Sequence, residues 1–321
     1  MASLVAPVTS PTVTSLPIVE LRGVRRSFRD LVAVDDLTLR VAPGQVTILL
    51  GPNGAGKTTV VRLVTGALPP NQGTVSVFGR DPSGPDGGDV RVRTGVVPAK
   101  PALYDRLSGE RNLRYAAELF GVADDQIGDR IREAARRFGI DHALDQRVGG
   151  FSTGMKARLA LARAVLHDPD LLLLDEPTAG LDPESARAVL ALIDEMAEAG
   201  KAVLMCTHLL MEAEGLADEI VVMDHGRALV AGSPDALTEQ YWDQTMVVVD
   251  ATDRSALDQL RELSYVRSYE RNGAAMVEVE HLDQVPDLVD TLVRAGVRLL
   301  RVEPHTPSLE ELYFAIREQA E

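Results

Sequence analysis

Three runs of the chain are almost unbroken in apolar side chains: Val46–Leu50, Leu171–Leu174 and Lys201–Cys206. Continuous runs, in place of alternation, predict strands buried on both faces, as in a parallel sheet covered by helices. Ile18–Val24, Val34–Val41, Thr74–Phe78 and Val92–Pro98 read as further strands. Between them lie a basic turn at Arg25–Arg29, a Gly/Pro-rich surface loop at Asp81–Asp89 and a connecting loop at Ala99–Leu107. Helical periodicity covers Val60–Leu68, a segment capped by Ser108 that carries Leu113 and Leu119, Asp124–Phe138 and Ser152–Leu166. Asp182 and Pro183 supply an N-cap and first-turn pair for a helix running to Ala199, and Gly200 ends it. Glu219–Met223 and Arg227–Val230 form a hairpin around Asp224-His225-Gly226, and Ser233-Pro234 starts another helix. Strands alternating with helices predict an α/β sheet, with a helical block inserted between two groups of strands.

After about Tyr241 the pattern restarts as a smaller unit. Met246–Asp250 reads as strand, Ser255–Leu263 as helix, and Val266–Glu270 with Met276–Glu280 as a hairpin around Asn272-Gly273. Asp283–Ala295 reads as helix and Val297–Val302 as strand, completing the split β-α-β-β-α-β order. A last helix opens at Ser308, with Glu311 placed as its capping-box partner.

Composition narrows the partners. The 321 residues carry a formal net charge of −15, which disfavours nucleic acid as a ligand, because binding phosphate in bulk needs a basic face. A single cysteine, Cys206, rules out an intrachain disulfide, and its apolar surroundings place it in the core. No apolar run approaches the length of a membrane span. The opening 17 residues are rich in Ser, Thr and Pro and lack the basic and apolar regions of a signal peptide, so a disordered tail and a cytoplasmic location are expected.

The chemistry is concentrated at Gly51–Thr59, which reads G-P-N-G-A-G-K-T-T and follows one of the apolar strands. It fits the phosphate-binding pattern G-x-x-x-x-G-K-[ST] in the strand–loop–helix context that the pattern requires. Small residues at Gly51, Gly54, Ala55 and Gly56, with Pro52 and Asn53 between them, let backbone N–H groups close around a phosphate chain. The following helix points its positive end at the same anion. Lys57 adds a full charge for the β- and γ-phosphates, and the Thr58 hydroxyl suits Mg²⁺. Asp175 ends a buried strand beside this loop and can hold Mg²⁺ through water, and the adjacent Glu176 can polarise an attacking water. His208 follows the next strand at the same sheet edge, within reach of the γ-phosphate, whereas the other five histidines lie in loop or surface contexts. Ser152-Thr153-Gly154 opens a helix and so forms a second anion site.

Taken in order and spacing, these pieces resemble the ATP-binding cassette subunits of ABC transporters over roughly residues 18–235. The pieces are the loop Gly51–Thr59, the signature-like Phe151-Ser152-Thr153-Gly154-Met155, the run Leu171–Glu176, the Ala179-Gly180-Leu181-Asp182 loop and His208. The resemblance implies a P-loop NTPase cassette with a mixed sheet core and an inserted helical subdomain at about 102–168, followed at 241–321 by a small α+β, ferredoxin-like accessory domain. It implies ATP and Mg²⁺ as cofactors, with Glu176 and His208 catalytic, Thr58 and Asp175 on the metal, and Gly51–Thr59 on the nucleotide. Phe28 matches the family's adenine-stacking aromatic. Ser152–Met155 would close the ATP site of another subunit, and Asp182 would speak across that dimer. The implied partners are a second copy or a homologous cassette, and a separately encoded polytopic permease on the inner face of the cell membrane. The helical block near Leu103–Phe120 would dock on that permease. The ending Pro307–Leu312 is similar to that of drug-exporter cassettes, which points to export of a drug-like or hydrophobic compound.

Two positions depart from the family pattern. Thr153-Gly154-Met155 stands where the signature usually reads Gly-Gly-Gln, and a β-branched Thr153 is poorly suited to φ > 0. In Val96–Pro101, Ala99 stands where the family has a glutamine that contacts Mg²⁺ and the lytic water, with Lys100 beside it. Rival readings are a soluble ABC-type ATPase of ribosomes or DNA, an importer ATPase with a regulatory C-terminal domain, and an immunity factor that only binds ATP. Against the first stand a single cassette and the interval of roughly 120 residues from Gly51 to Leu171 without sustained heptads. A short mixed C-terminal unit counts against the second, and the presence of both Glu176 and His208 against the third.

Overall fold

The computed structural model describes residues 16–320. All but the last two residues of the expected N-terminal tail lie outside that range. The described residues up to Pro234 form one compact unit, and Asp235–Glu318 form a second.

In the first unit, β1 (Val19–Phe28), β2 (Leu31–Val41) and, after β3 (Val46–Leu50), α1 (Lys57–Val64) and β4 (Gln72–Val77), lead into α2 (Gly87–Val92) and β5 (Thr94–Val97). The helical block follows as α3 (Gly109–Leu119), α4 (Asp124–Arg137) and α5 (Thr153–Val165). The chain then returns to β6 (Leu171–Asp175), α6 (Pro183–Glu198), β7 (Ala202–Thr207), α7 (Leu210–Ala213), β8 (Glu219–Asp224) and β9 (Arg227–Gly232).

Two sheets result. A six-stranded sheet has the order β5-β6-β7-β3-β8-β9, parallel except for the β8–β9 hairpin, and a three-stranded antiparallel sheet has the order β2-β1-β4. The apolar runs are strands β3, β6 and β7, every residue of which is buried. Fully burying each Leu, Ile or Val there contributes roughly 1.5–3 kcal/mol. One core joins Leu21, Leu37 and Val60 to Leu49, Leu171 and Leu204, so the antiparallel sheet, α1 and one face of the parallel sheet are packed as a unit. In the parallel sheet Asp175 pairs with Cys206, and Leu50 with Thr207, which brings the C-terminal ends of β6, β7 and β3 to one edge. That edge is where open α/β sheets bind ligands.

Local differences from the sequence reading have physical causes. Arg25–Phe28 is strand rather than turn: Arg26, Ser27 and Phe28 pair with Val34, Val32 and Leu31 through register shifts, and only Arg29 and Asp30 make the turn, Arg29 at φ 51°. The expected loop over Asp81–Asp89 ends in α2, which also takes the start of the expected strand at Val92. Val90 is buried there and its carbonyl accepts the Thr94 hydroxyl at 2.7 Å, so packing imposes a helix on a sequence of low propensity.

The second unit contains all but the first residue of α8 (Pro234–Tyr241), β10 (Thr245–Ala251), β11 (Val266–Asn272), β12 (Ala274–Val279), α9 (Val285–Arg294), β13 (Leu299–Pro304) and all but the last two residues of α10 (Leu309–Ala320). Its four strands form an antiparallel sheet in the order β11-β12-β10-β13 over a core that includes Val247, Val277, Leu288 and Leu292. The first expected helix is instead a 3₁₀ segment, Arg254–Glu262. Leu257, Leu260 and Leu263 recur every third residue against the core, the spacing at which a three-residue turn keeps side chains on one face. Ser308 and Glu311 form the expected reciprocal cap, with Ser308 N–H donating to Glu311 Oε2 at 2.8 Å and Glu311 N–H to Ser308 Oγ at 3.3 Å.

Candidate functional site

The loop after β3 is shaped by its glycines. At Gly51 (φ 158°) a Cβ would stand 2.2 Å from the Met223 carbonyl oxygen, and at Gly56 (φ 103°) one would stand 2.3 Å from that of Ala33. These close approaches press the loop between β2 and the β8–β9 turn, and Gly226 N–H donates to the Ala55 carbonyl at 3.1 Å. Asp35 fixes the same corner: Arg25 and Arg227 both bond its carboxylate, and the Arg227 hydrogen bond holds its pKa below the ordinary aspartate value. The far side of the loop is open, with nothing within 4 Å of a Cβ at Gly54.

Lys57 begins α1 and is 6 % exposed, with Nζ donating to the Gly51 carbonyl at 2.6 Å and to that of Pro52 at 3.2 Å. The same nitrogen lies 3.7 Å from Glu176 Oε1. Thr58 Oγ1 donates to Asp175 Oδ2 at 2.8 Å, joining α1 to the end of β6 although β7 separates β6 from β3 in the sheet. Pro52, Asn53, Ala55 and Thr59 complete the loop and first turn, with Thr59 N–H donating to the Gly56 carbonyl at 2.9 Å.

Glu176 leaves β6 in the left-handed region at φ 54°, a conformation that costs a non-glycine residue of order 1–3 kcal/mol and persists only where the surroundings hold it. Its N–H donates to the Cys206 carbonyl at 2.9 Å, and the Glu176 carbonyl accepts from Ala179 N–H at 3.1 Å. His208 Nδ1 sits 2.6 Å from Glu176 Oε2. Lys57, the adjacent pair Asp175 and Glu176, and His208 come from three separate stretches of sequence and form one cluster at the sheet edge. Under it, Cys206 is fully buried, and burial drives its thiol pKa well above the ordinary value.

The residues fit a hard cation. Thr58 and Asp175 bring a hydroxyl and a carboxylate together on opposing elements, both hard oxygen donors. Among the described residues no group of three or more His, Cys, Asp and Glu could hold a metal by itself, so such an ion needs phosphate and water for its remaining positions. The Ala99 side chain supplies no donor. It lines a cavity of about 220 Å³ with Glu176, Thr153 and Lys156, and Lys156 Nζ is paired to Asp105 at 3.0 Å.

Ser152 caps α5, its hydroxyl accepting from Met155 N–H at 3.2 Å. Thr153 and Gly154 are helical and neither has positive φ, so threonine is compatible with this backbone and the expected conflict does not arise. Asp182 caps α6 by accepting from Ser185 N–H at 2.9 Å; that bond and the Ser185 hydroxyl hold its carboxyl below the ordinary aspartate value. Ser152–Met155 and Gly180–Asp182 line one surface cleft of about 390 Å³. Phe28 closes β1, 37 % exposed, with the Arg26 guanidinium 5.0 Å from its ring centroid.

One part of the site has no signature in the sequence. Glu212 in α7 is buried, and its carboxylate accepts hydroxyl hydrogen bonds from Thr178, which follows Glu176 by two residues, and from Thr207, which precedes His208. A Thr in a turn, a Thr at the end of β7 and a Glu in a one-turn helix carry no shared periodicity, so only their meeting in space reveals them.

Comparison with known proteins agrees with this geometry. A family model described as ABC transporter matches residues 34–179. The chain is 36 % identical, over 93 % of its length and 95 % of the relative's, to the Nod factor export ATP-binding protein I of Bradyrhizobium diazoefficiens. A solved ATP-binding subunit of an ABC transporter superposes with a TM-score of 0.65 at 30 % identity, covering 70 % of this chain and 93 % of that one. The cbiO1 subunit of Clostridium perfringens, part of the ABC transporter complex cbiONQ, superposes with a TM-score of 0.64 at 28 % identity, covering 70 % and 91 %.

Proposed function

The chain belongs to the ATP-binding subunits of ABC transporters, and from that premise we propose that Glu176, held between Lys57 and His208, is the centre of an ATP-hydrolysing site that powers an exporter. The family hydrolyses ATP to drive transport, and its ATP-binding subunits pair with a membrane permease. The observation that carries the site assignment is the pair of contacts on one carboxylate: Lys57 at 3.7 Å from Oε1 and His208 at 2.6 Å from Oε2.

In this reading the backbone N–H groups of Gly51–Thr59 and the positive end of α1 bind the phosphate chain, and Lys57 turns its charge to the β- and γ-phosphates. Glu176 accepts a hydrogen bond from the attacking water and orients it. His208 fixes the Glu176 carboxylate and meets the γ-phosphate. Thr58 and Asp175 hold Mg²⁺, which when bound offsets the charge that develops on the phosphoryl oxygens. Phe28 stacks on adenine at the exposed end of β1.

Ser152–Met155 and Asp182 share one surface cleft, which supports a role facing the ATP of a second cassette, a copy of this chain or a homologue. No described helix is long and apolar enough to cross a membrane, which accords with a subunit peripheral on the inner face of the membrane and docked through α3 and the segment before it. The name of the rhizobial relative supports export as the direction. Affinity capture of the chain from membranes, followed by phosphate release from Mg²⁺-ATP, tests the whole reading. A co-purifying multi-span protein that stimulates ATPase activity is expected, and capture of ribosomes or DNA with none would overturn it.

A further inference from the structure

We infer that Glu212 is a positioning residue for ATP hydrolysis, tying the segment after Glu176 to the segment before His208 and so setting the approach of those two groups. The inference rests on the roles given above to Glu176 and His208.

Glu212 is 7 % exposed, and acidic residues are almost never so buried unless paired with a cation. Its two oxygens are instead taken by hydroxyls: Thr178 Oγ1 donates to Oε1, and Thr207 Oγ1 donates to Oε2 at 2.7 Å. An apolar side chain would fill this position with less desolvation, so stability alone gives no reason for a carboxylate here. What the carboxylate does is join two segments. The Thr207 hydroxyl accepts Leu209 N–H at 3.0 Å, so the backbone on both sides of His208 is held by the same oxygen that donates to Glu212. On the other segment, Thr178 fixes the exit of the turn whose first residue, Glu176, is in the left-handed region.

His208 is 40 % exposed on its side chain and begins a connecting segment, and Glu176 is held on its N-terminal side by the bond to the Cys206 carbonyl. Glu212 supplies the tie on the C-terminal side. The 2.6 Å separation of His208 Nδ1 from Glu176 Oε2 is therefore held from two sides, by the Cys206 carbonyl and by the threonine contacts of the buried Glu212 carboxylate.

The test uses the full chain, with kcat and KM for Mg²⁺-ATP, the Kd of a non-hydrolysable ATP analogue, and thermal melting. Glu212→Ala is expected to lower kcat on the order of 10²-fold, the cost of a misplaced catalytic group, with KM and Kd little changed. Glu212→Gln keeps both bonds, because its carbonyl oxygen still accepts from one threonine hydroxyl while its amide N–H donates to the other, and it retains most of the rate. Combined with His208→Ala, Glu212→Ala adds no further loss, since both act through one arrangement. Wild-type kcat in Glu212→Ala, or losses that multiply in the double variant, overturns the inference. Should Glu212→Ala fail to fold, Thr178→Val removes one hydroxyl at nearly constant volume, and wild-type kcat there overturns it equally. Failure of the underlying assignment looks different: Glu176→Gln would then itself turn over at the wild-type rate.

Discussion

His208 Nδ1 lies 2.6 Å from Glu176 Oε2, while the second oxygen of the same carboxylate faces Lys57 Nζ at 3.7 Å. One carboxylate is thereby held between a residue that follows β7 and one from the start of α1, and its freedom to rotate is small. Replacing it with an isosteric amide keeps the shape and removes the proposed base. Glu176→Gln is expected to abolish steady-state phosphate release while ATP traps a dimer visible by size exclusion. Turnover at the wild-type rate would remove Glu176 from its assigned role.

Lys57 is nearly buried and bonds the carbonyls of Gly51 and Pro52, so it both shapes the loop and carries its charge. Lys57→Ala should weaken ATP binding and lower kcat/KM by roughly 10²-fold or more, through lost electrostatic stabilisation of the transition state. Titration with a fluorescent ATP analogue and phosphate-release kinetics separate the two effects. Unchanged values of both would contradict the site.

Ala99 lines a cavity next to Glu176, where a longer polar side chain has room. Ala99→Gln is expected to lower the Mg²⁺ concentration needed for half-maximal ATPase activity, by adding an oxygen donor to the cavity that Glu176 lines. It should also change the stimulation given by the membrane partner. If the Mg²⁺ dependence and the partner-stimulated rate both stayed as in the wild type, the alanine would have no bearing on metal or coupling.

Burial raises the Cys206 thiol pKa, so the native thiol stays protonated and unreactive. Above about pH 8.5 the unfolded thiol loses its proton and the folded one does not, so the folded state binds more protons and stability falls as pH rises. Urea melts at rising pH should show a steeper alkaline decline for the wild type than for Cys206→Ala. Equal slopes, or rapid labelling of the native thiol, would count against this account.

The legible parts of the fold are those whose chemistry is local. Gly51, Gly56 and Lys57 stand at the spacing that the proposed phosphate cradle requires, bare backbone and one charge within a single turn. Asp182-Pro183 marks a helix start because a cap and a fixed φ act within one residue of each other, and the caps at Ser152 and Ser308 are local in the same way. The apolar runs are β3, β6 and β7 because a strand covered on both faces has no polar side to show.

What stays hidden depends on contacts between distant segments. Strand order is one case: β7 lies between β3 and β6, and no local pattern encodes that neighbour relation. The helix α2 is another, since Val90 and Thr94 impose it on a stretch rich in glycine. At Thr153 the sequence suggests strain that the helical backbone does not carry.

The chain alone is enough to locate the phosphate-binding pattern, the buried strands and the carboxylates and histidine suited to nucleotide chemistry, because each rests on side chains within a few positions of one another. It took packing to bring Glu176 to His208 and Lys57, to join Thr58 to Asp175, and to set Glu212 against Thr178 and Thr207. Those pairings follow from the order and register of β6, β7 and β3, and register is a property of the packed sheet rather than of any one segment.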